Sequence, residues 1–226
     1  MTFAATIITL FPEAFPGTLG LSVIGRGLTQ GAWSLETVDL RRFGEGPHRK
    51  VDDAPAGGGA GLVLRADIAA AAIDSIDRAG RPLLCPSPRG RPLSQEMART
   101  WAQGPGLIVF CGRFEGIDER VIASRGMEEV CVGDAVLAGG EVAAMLLLEA
   151  TVRLLPGVLG NADSLAEESF TDGLLEHPQY TRPRDFEGRA IPDILMSGDH
   201  ARIASWRRGQ REALTAERRP DLLKKP

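Results

Sequence analysis

A parallel α/β fold is what this sequence predicts. Short runs rich in Val, Ile, Thr and Phe alternate with helical patterns, the order that sets parallel strands side by side. One run, "GLIVFCG" (106–112), is apolar throughout between glycines, as suits a central strand with helices on both faces of its sheet. A composition of 43% hydrophobic and 25% charged residues over 226 positions is that of an ordinary globular chain with a sizeable core.

The elements follow in chain order. "TFAATIITLF" (2–11) and "WSLETVDLRRF" (33–43) read as strands. "RADIAAAAIDSIDRAG" (65–80) reads as a helix that Gly80 terminates. After the apolar strand come a short helix, "DERVIASRG" (118–126), and another strand, "EEVCV" (128–132). A helix is predicted from about Glu141 to Leu155, closed by Pro156 and Gly157. It is apolar at every position from Val142 to Leu148, so it needs cover all round, and a partner subunit is one such cover. "GNADSLAEESFTDG" (160–173) is small, polar and acidic, the composition of a mobile connection. Beyond it, residues 197–220 are strongly helical, with Ser197 or Asp199 as N-cap. Two unequal domains result, 1–160 and 173–226, joined by a linker over 161–172.

Several function classes are excluded at this level. No run approaches the ~18 apolar residues of a membrane span, and no basic segment precedes an apolar one at the N-terminus, so a secretory signal is not expected. Cys85, Cys111 and Cys131 are odd in number and have apolar neighbours, which predicts buried free thiols and a cytoplasmic protein. A net charge of −4 argues against a general nucleic-acid or DNA binder. The charge is uneven, however: residues 199–226 hold eight basic against four acidic side chains. That is either a local polyanion footprint or a solvated terminal helix. "GGGAG" (57–61) is followed by Leu62 rather than Lys-Ser/Thr, so it is not a phosphate loop, and it lacks the dinucleotide fingerprint. It is a flexible loop, or one in which Gly58 and Gly59 let a planar substrate lie against bare backbone. His48, His177 and His200 are scattered, with no zinc spacing, so no metal is predicted. No Gly-x-Ser-x-Gly elbow supports a hydrolase.

The stretch "VGDAVLAGGE" (132–141) breaks an apolar path with Gly133, Gly139 and Gly140. Either the backbone turns there or something approaches it closely. Arg153 follows Glu149 by four residues, the spacing of an exposed helical ion pair. Its place at the end of an apolar helix, where burying a guanidinium is costly, points instead to a function. Glu167, Glu168 and Asp172 lie in the acidic linker, where solvation alone explains most carboxylates.

Four stretches in order, "SPRGRPLSQ" (87–95), "CGRFEGIDERV" (111–121), "VGDAVLAGGEVAAM" (132–145) and "SFTDGLLEHPQYTRP" (169–183), closely resemble the bacterial tRNA (guanine-N(1)-)-methyltransferases. "SGDHARIASWRRGQ" (197–210) is similar to that family's C-terminal domain. The resemblance spans nearly the whole chain. It implies an α/β domain with a deep C-terminal trefoil knot, a topology that periodicity would never suggest. It also implies a homodimer with the active site at the subunit interface and a small helical domain that helps hold tRNA. The activity implied is methylation, from S-adenosylmethionine, of N(1) of the guanine 3′ of the anticodon.

By motif match, the resemblance places the methyl donor against Pro86, Ser87, Gly112, Glu115 and the run Val132, Gly133, Asp134, Ala135, Val136 and Leu137, with Gly139 and Gly140 alongside. Adenine needs a flat apolar slot read by main-chain N–H and C=O groups, and glycines permit that approach. Arg153 is the implied partner of guanine O6 and Glu168 the implied base, with Glu167 adjacent in register. Gly58, Gly59, Asp172, Glu176 and Arg182 are candidates for placing the base or tRNA. Arg113 and Glu115 touch the methionine end or the target base, or pair with each other. Phe114 and Ala135 stand where the family usually has tyrosine, and Glu168 where it commonly has Asp. Those departures motivate one rival, a catalytically silent tRNA-binding protein on the same scaffold. The family is associated with magnesium, but no ligand cluster places an ion.

Overall fold

The computed structural model describes residues 2–160 and 168–223. The chain divides into two compact units, Met1–Gly160 and Asn161–Pro226. Glu167 and residues 161–166 of the expected linker lie outside the described residues.

The first unit opens with β1 (Phe3–Thr9), α1 (Ser22–Thr29) and β2 (Trp33–Asp39), then a two-residue hairpin of β3 (Asp52–Asp53) and β4 (Val63–Leu64). α2 (Ala66–Asp74), β5 (Leu83–Pro92), α3 (Gln95–Ala102), β6 (Gly106–Phe110), α4 (Glu119–Arg125), β7 (Glu128–Cys131) and α5 (Glu141–Val152) follow. Five strands form one parallel sheet in the order β2-β1-β6-β5-β7, with Phe3 opposite Trp33, Ile8 opposite Phe110 and Cys85 opposite Glu129.

Side chains along a strand point alternately to opposite faces, and each face has its own core. Ile7, Leu107 and Val109 pack with Trp101 of α3 and Leu147 and Leu148 of α5. Ile8, Ile108 and Phe110 pack with Ile68 of α2 and Val121 and Ile122 of α4. The continuous apolar run of β6 therefore feeds both layers at once. Leu147 and Leu148 are fully buried, and each contributes about 1.5–3 kcal/mol by leaving water.

Local chemistry sets the element ends. Ser94 caps α3 by accepting from the Met97 N–H at 3.2 Å, Asp118 caps α4, and Gly126 closes α4 in a left-handed conformation. α2 stops at Asp74 rather than at Gly80. The Ser75 hydroxyl donates to Ala72 O at 2.7 Å there, drawing the last turn out of helical register. α5 stops at Val152, and Leu154 and Leu155 continue in tighter turns to Thr151 and Val152 carbonyls. Its inner face is buried, but Val142 (66% exposed) and Leu146 (43%) form an apolar stripe that the chain's own packing leaves open.

β5 is the strand that the sequence concealed, because "LLCPSPRGRP" carries three prolines. It tolerates them by leaving the ladder. Pro86 pairs with Val130, residues 87–90 loop out, and Arg91 returns to pair with the same Val130. Gly90 passes so close to the Glu129–Val130 backbone that a Cβ there would collide with it.

In the second unit a small hairpin joins β8 (Asp185–Phe186) to β9 (Arg189–Ala190) through Glu187 and Gly188, both at positive φ. α6 (His200–Arg218) is capped by Asp199, which accepts from the Arg202 N–H at 3.1 Å. The fully buried Thr215 of α6 accepts from the Leu175 N–H at 2.9 Å. Residues 168–174 form a hydrogen-bonded turn, with Phe170 N–H donating to Leu174 O at 2.8 Å.

Candidate active site

The loops that follow β6 and β7, with the segment looped out within β5, line a cavity of about 670 Å³ at one end of the sheet. That is where ligands bind in open parallel sheets, and the volume suits one small organic ligand. Pro86 and Ser87 form one wall, Gly112 and Glu115 a second. Val132, Gly133, Ala135, Val136 and Leu137 form a third, with Gly139 and Gly140 beside them. Asp134 is exposed in a tight turn, closed by the Ala135 N–H to Gly133 O at 2.8 Å, and takes no part in the wall. Among the residues expected at the donor site, only Asp134 falls outside the wall.

The glycines have separate causes. Gly133 sits at φ +153°, a conformation side chains rarely adopt, and a Cβ there would meet only open space. Gly112 likewise faces open space within 4 Å. These two leave bare backbone on the cavity. Gly139 and Gly140 are required by the protein itself. A Cβ at Gly139 would run into the Arg113 guanidinium, and one at Gly140 would stand 2.8 Å from Cys111 Cα. The Gly140 N–H also donates to Gly112 O at 2.9 Å, pinning two walls together.

Arg113 pairs with Glu141 rather than with Glu115. Its Nε donates to Glu141 Oε1 at 3.2 Å and its Nη2 lies 2.8 Å from Oε2. Glu115 instead packs against Gly61, whose missing side chain makes room for it, and the Glu115 N–H donates to Leu62 O at 2.9 Å. The glycine loop thus abuts the cavity through Gly61. Gly58 and Gly59, both at positive φ, remain exposed and outside the wall.

Some wall residues were not anticipated. Arg89 bridges Glu119 at 3.2 Å and Glu129 at 3.0 Å, pinning the looped-out segment of β5. The Glu129 hydrogen bond and charge raise the Arg89 pKa above its ordinary value. Asp118 is held below the usual carboxylate range by its hydrogen bonds from Arg120. Burial, aided by the Glu129 charge, pushes the Cys85 thiol up to about 12. All three cysteines are free and buried. The wall carries four carboxylates (Glu115, Asp118, Glu119 and Glu129) against two guanidiniums, an excess of negative charge suited to a cationic ligand. Arg89 lies inside a quoted motif, but its partners sit thirty and forty residues away, at distances no spacing rule links.

Arg153 caps the C-terminal end of α5, with its N–H on Glu149 O at 3.2 Å. In the second unit, Glu168 is half-buried and its carbonyl accepts from the Thr171 N–H at 3.2 Å. Asp172 is ion-paired with Arg211 of α6, which also donates to Leu175 O at 3.2 Å. Burial works to raise the Asp172 carboxyl, but the Arg211 hydrogen bond and charge outweigh it and hold the group below its ordinary value. Glu176 accepts from Gln179 at 2.6 Å, and Arg182 is exposed. Among the described residues, no group of three or more His, Cys, Asp or Glu could hold a metal ion, and no helix is long and apolar enough to cross a membrane.

Fold and site together define an α/β protein whose parallel sheet presents a glycine-walled, cofactor-sized pocket at its carboxyl edge. Comparison with known proteins narrows the class. The family model described as tRNA (Guanine-1)-methyltransferase TrmD matches residues 2–225, and the chain belongs to that family. Similar relatives include the tRNA (guanine-N(1)-)-methyltransferases of Jannaschia sp. (60% identical, covering 97% of this chain and 92% of the relative), Caulobacter vibrioides (61%; 98% and 91%) and Mesorhizobium japonicum (61%; 99% and 97%).

Proposed function

We propose that this chain methylates N(1) of the guanine 3′ of the anticodon in tRNA, with S-adenosylmethionine as methyl donor. The observation that carries the reading is the family match over residues 2–225, with relatives about 60% identical that are named tRNA (guanine-N(1)-)-methyltransferases. The silent tRNA-binding alternative is not favoured by relatives named as methyltransferases over nearly the whole chain.

The cavity fits the donor. Bare backbone at Gly112 and Gly133 lies open on it, apolar side chains such as Val132 and Leu137 line it, and its wall has excess negative charge for a sulfonium. The donor supplies an already activated methyl group, so the protein's work is alignment and proton handling. Guanine N(1) carries a proton and is a poor nucleophile until that proton leaves. Glu168 accepts it as general base. Arg153 stabilises the negative charge that then develops on O6. Gly58, Gly59, Asp172, Glu176 and Arg182 help place the base and its tRNA. Arg202, Arg208 and Arg218 of α6 are exposed and suited to phosphates.

The working form is a cytoplasmic homodimer in which the base comes from the partner subunit's linker. The open stripe of Val142 and Leu146 supports an interface on α5. The finer fold assignment is a deep trefoil knot formed by the three loops around the cavity. Their crowding at Gly90 and Gly140 supports it.

Incubation with labelled S-adenosylmethionine and unmodified tRNA bearing that guanine is expected to yield 1-methylguanosine. A folded, donor-binding protein that forms none would overturn the proposal.

A further inference from the structure

Glu141 is the buried charged group the mechanism does not use. It opens α5, is 4% exposed, and stands outside the cavity wall. Its Oε1 accepts from the Thr9 hydroxyl at 2.8 Å and from Arg113 Nε at 3.2 Å, while Oε2 lies 2.8 Å from Arg113 Nη2 as a charge contact without hydrogen-bond alignment. Thr9 ends β1, is itself fully buried, and accepts from the Phe11 N–H at 2.9 Å. The Phe11 ring in turn lies 4.4 Å beneath the Arg113 guanidinium. Arg113 also donates to Ala138 O at 3.3 Å. One carboxylate therefore ties together the end of β1, the loop after β6 and the loop before α5. The last two are cavity walls. Gly139 lacks a side chain where the guanidinium crosses it.

A carboxylate so buried is costly unless fully paired, and a hydrophobic residue would hold a helix start as well or better. What the ion pair adds is direction: the Nε hydrogen bond to Oε1 and the close Nη2–Oε2 charge contact together fix the plane of Arg113, and with it the loop Gly112–Glu115. We infer that Glu141 is a positioning residue for the methyl donor, acting through Arg113 to set the spacing between the Gly112 and Gly139 walls before the donor arrives. The inference rests on the donor-site reading given above.

The test is a titration with S-adenosylhomocysteine on the full chain, paired with turnover at saturating donor and tRNA, well below the melting temperature. Wild type must bind the probe; if it does not, the donor-site reading fails, not this inference. Glu141→Gln keeps an acceptor for Thr9 but turns an amide toward Arg113. It is expected to weaken probe binding about tenfold or more, with turnover at saturation within about threefold of wild type. Glu141→Asp, which keeps the charge, falls between the two. Arg113→Gln with Glu141→Gln binds no more weakly than the worse single variant, because the pair acts as a unit. Unchanged affinity in Glu141→Gln, additive losses in the double variant, or a fall in saturated turnover as large as the loss of affinity each overturns the inference. If Glu141→Gln does not fold, Thr9→Val removes the hydroxyl that donates to Glu141 and accepts from the Phe11 N–H, and leaves the ion pair. It is then expected to weaken binding about threefold, and wild-type affinity there overturns the inference.

Discussion

Replacing Gly140 with alanine separates crowding by the protein's own chain from room left for a ligand. Gly140 has φ −79° and ψ −8°, which alanine adopts freely, so conformational preference does not explain the glycine. Space does. A Cβ there would stand 2.8 Å from Cys111 Cα, 3.0 Å from Gly112 N and 3.2 Å from Cys111 C. All three are main-chain atoms and none can swing aside. Such overpacking costs about 1–3 kcal/mol, which for a chain of this size lowers Tm by about 2–12 °C. Gly112→Ala is the control: it lines the same cavity with nothing within 4 Å of its Cβ. It is expected to leave stability within about 0.5 kcal/mol and to weaken donor binding, because its methyl group enters the pocket. Thermal melting by circular dichroism and a titration with S-adenosylhomocysteine read the two effects separately. If Gly140→Ala melts like wild type while Gly112→Ala does not, the assignment of the glycines is reversed and the reasoning fails.

Glu168→Gln is expected to lower turnover by about 10²–10⁴ while donor affinity stays near wild type; single-turnover kinetics checks this, and near-normal turnover moves the base elsewhere. Leu146→Asp is expected to shift the sedimentation profile from dimer to monomer, and an unchanged profile removes α5 from the interface. Asp172 is held below its ordinary pKa, so its contribution is present above about pH 4 and is lost as the pH falls through the lowered folded value. Asp172→Asn is therefore less stable than wild type at pH 7, by about 1 kcal/mol or less, because the carboxylate is half exposed and screened by water. The difference should vanish in strongly acidic solution, and a gap that persists there points to a role other than the Arg211 pair. Burial raises Cys85 to about 12 and Cys111 well above its ordinary value. A thiol reagent at pH 8 should accordingly leave both unmodified until denaturant is added, and rapid labelling of either by mass spectrometry contradicts their burial.

What could be read beforehand depended on the range of the interaction. β6 was legible because five successive buried residues admit little but a central strand. The loops expected to hold a donor were legible as ordered motifs, and nearly all of those residues line one cavity. β5 was hidden because its prolines contradict a central strand, and only the looped-out segment reconciles them. In the sequence, Glu141 is only the residue at which a helix is predicted to start. Its burial follows from Thr9 and Arg113, which are 132 and 28 residues away. The causes of Gly139 and Gly140 were out of reach for the same reason. A glycine reports that something comes near, not what.

Because β5 meets Val130 both before and after its excursion, residues 87–90 are a loop whose two feet stand on one stone. Its length has no slack, since adding a residue would either break a pairing or swell the pocket's rim. Ordering a free backbone costs about 1–2 kcal/mol per residue. Here folding has already met that cost, so a ligand arriving at this side finds a wall already standing.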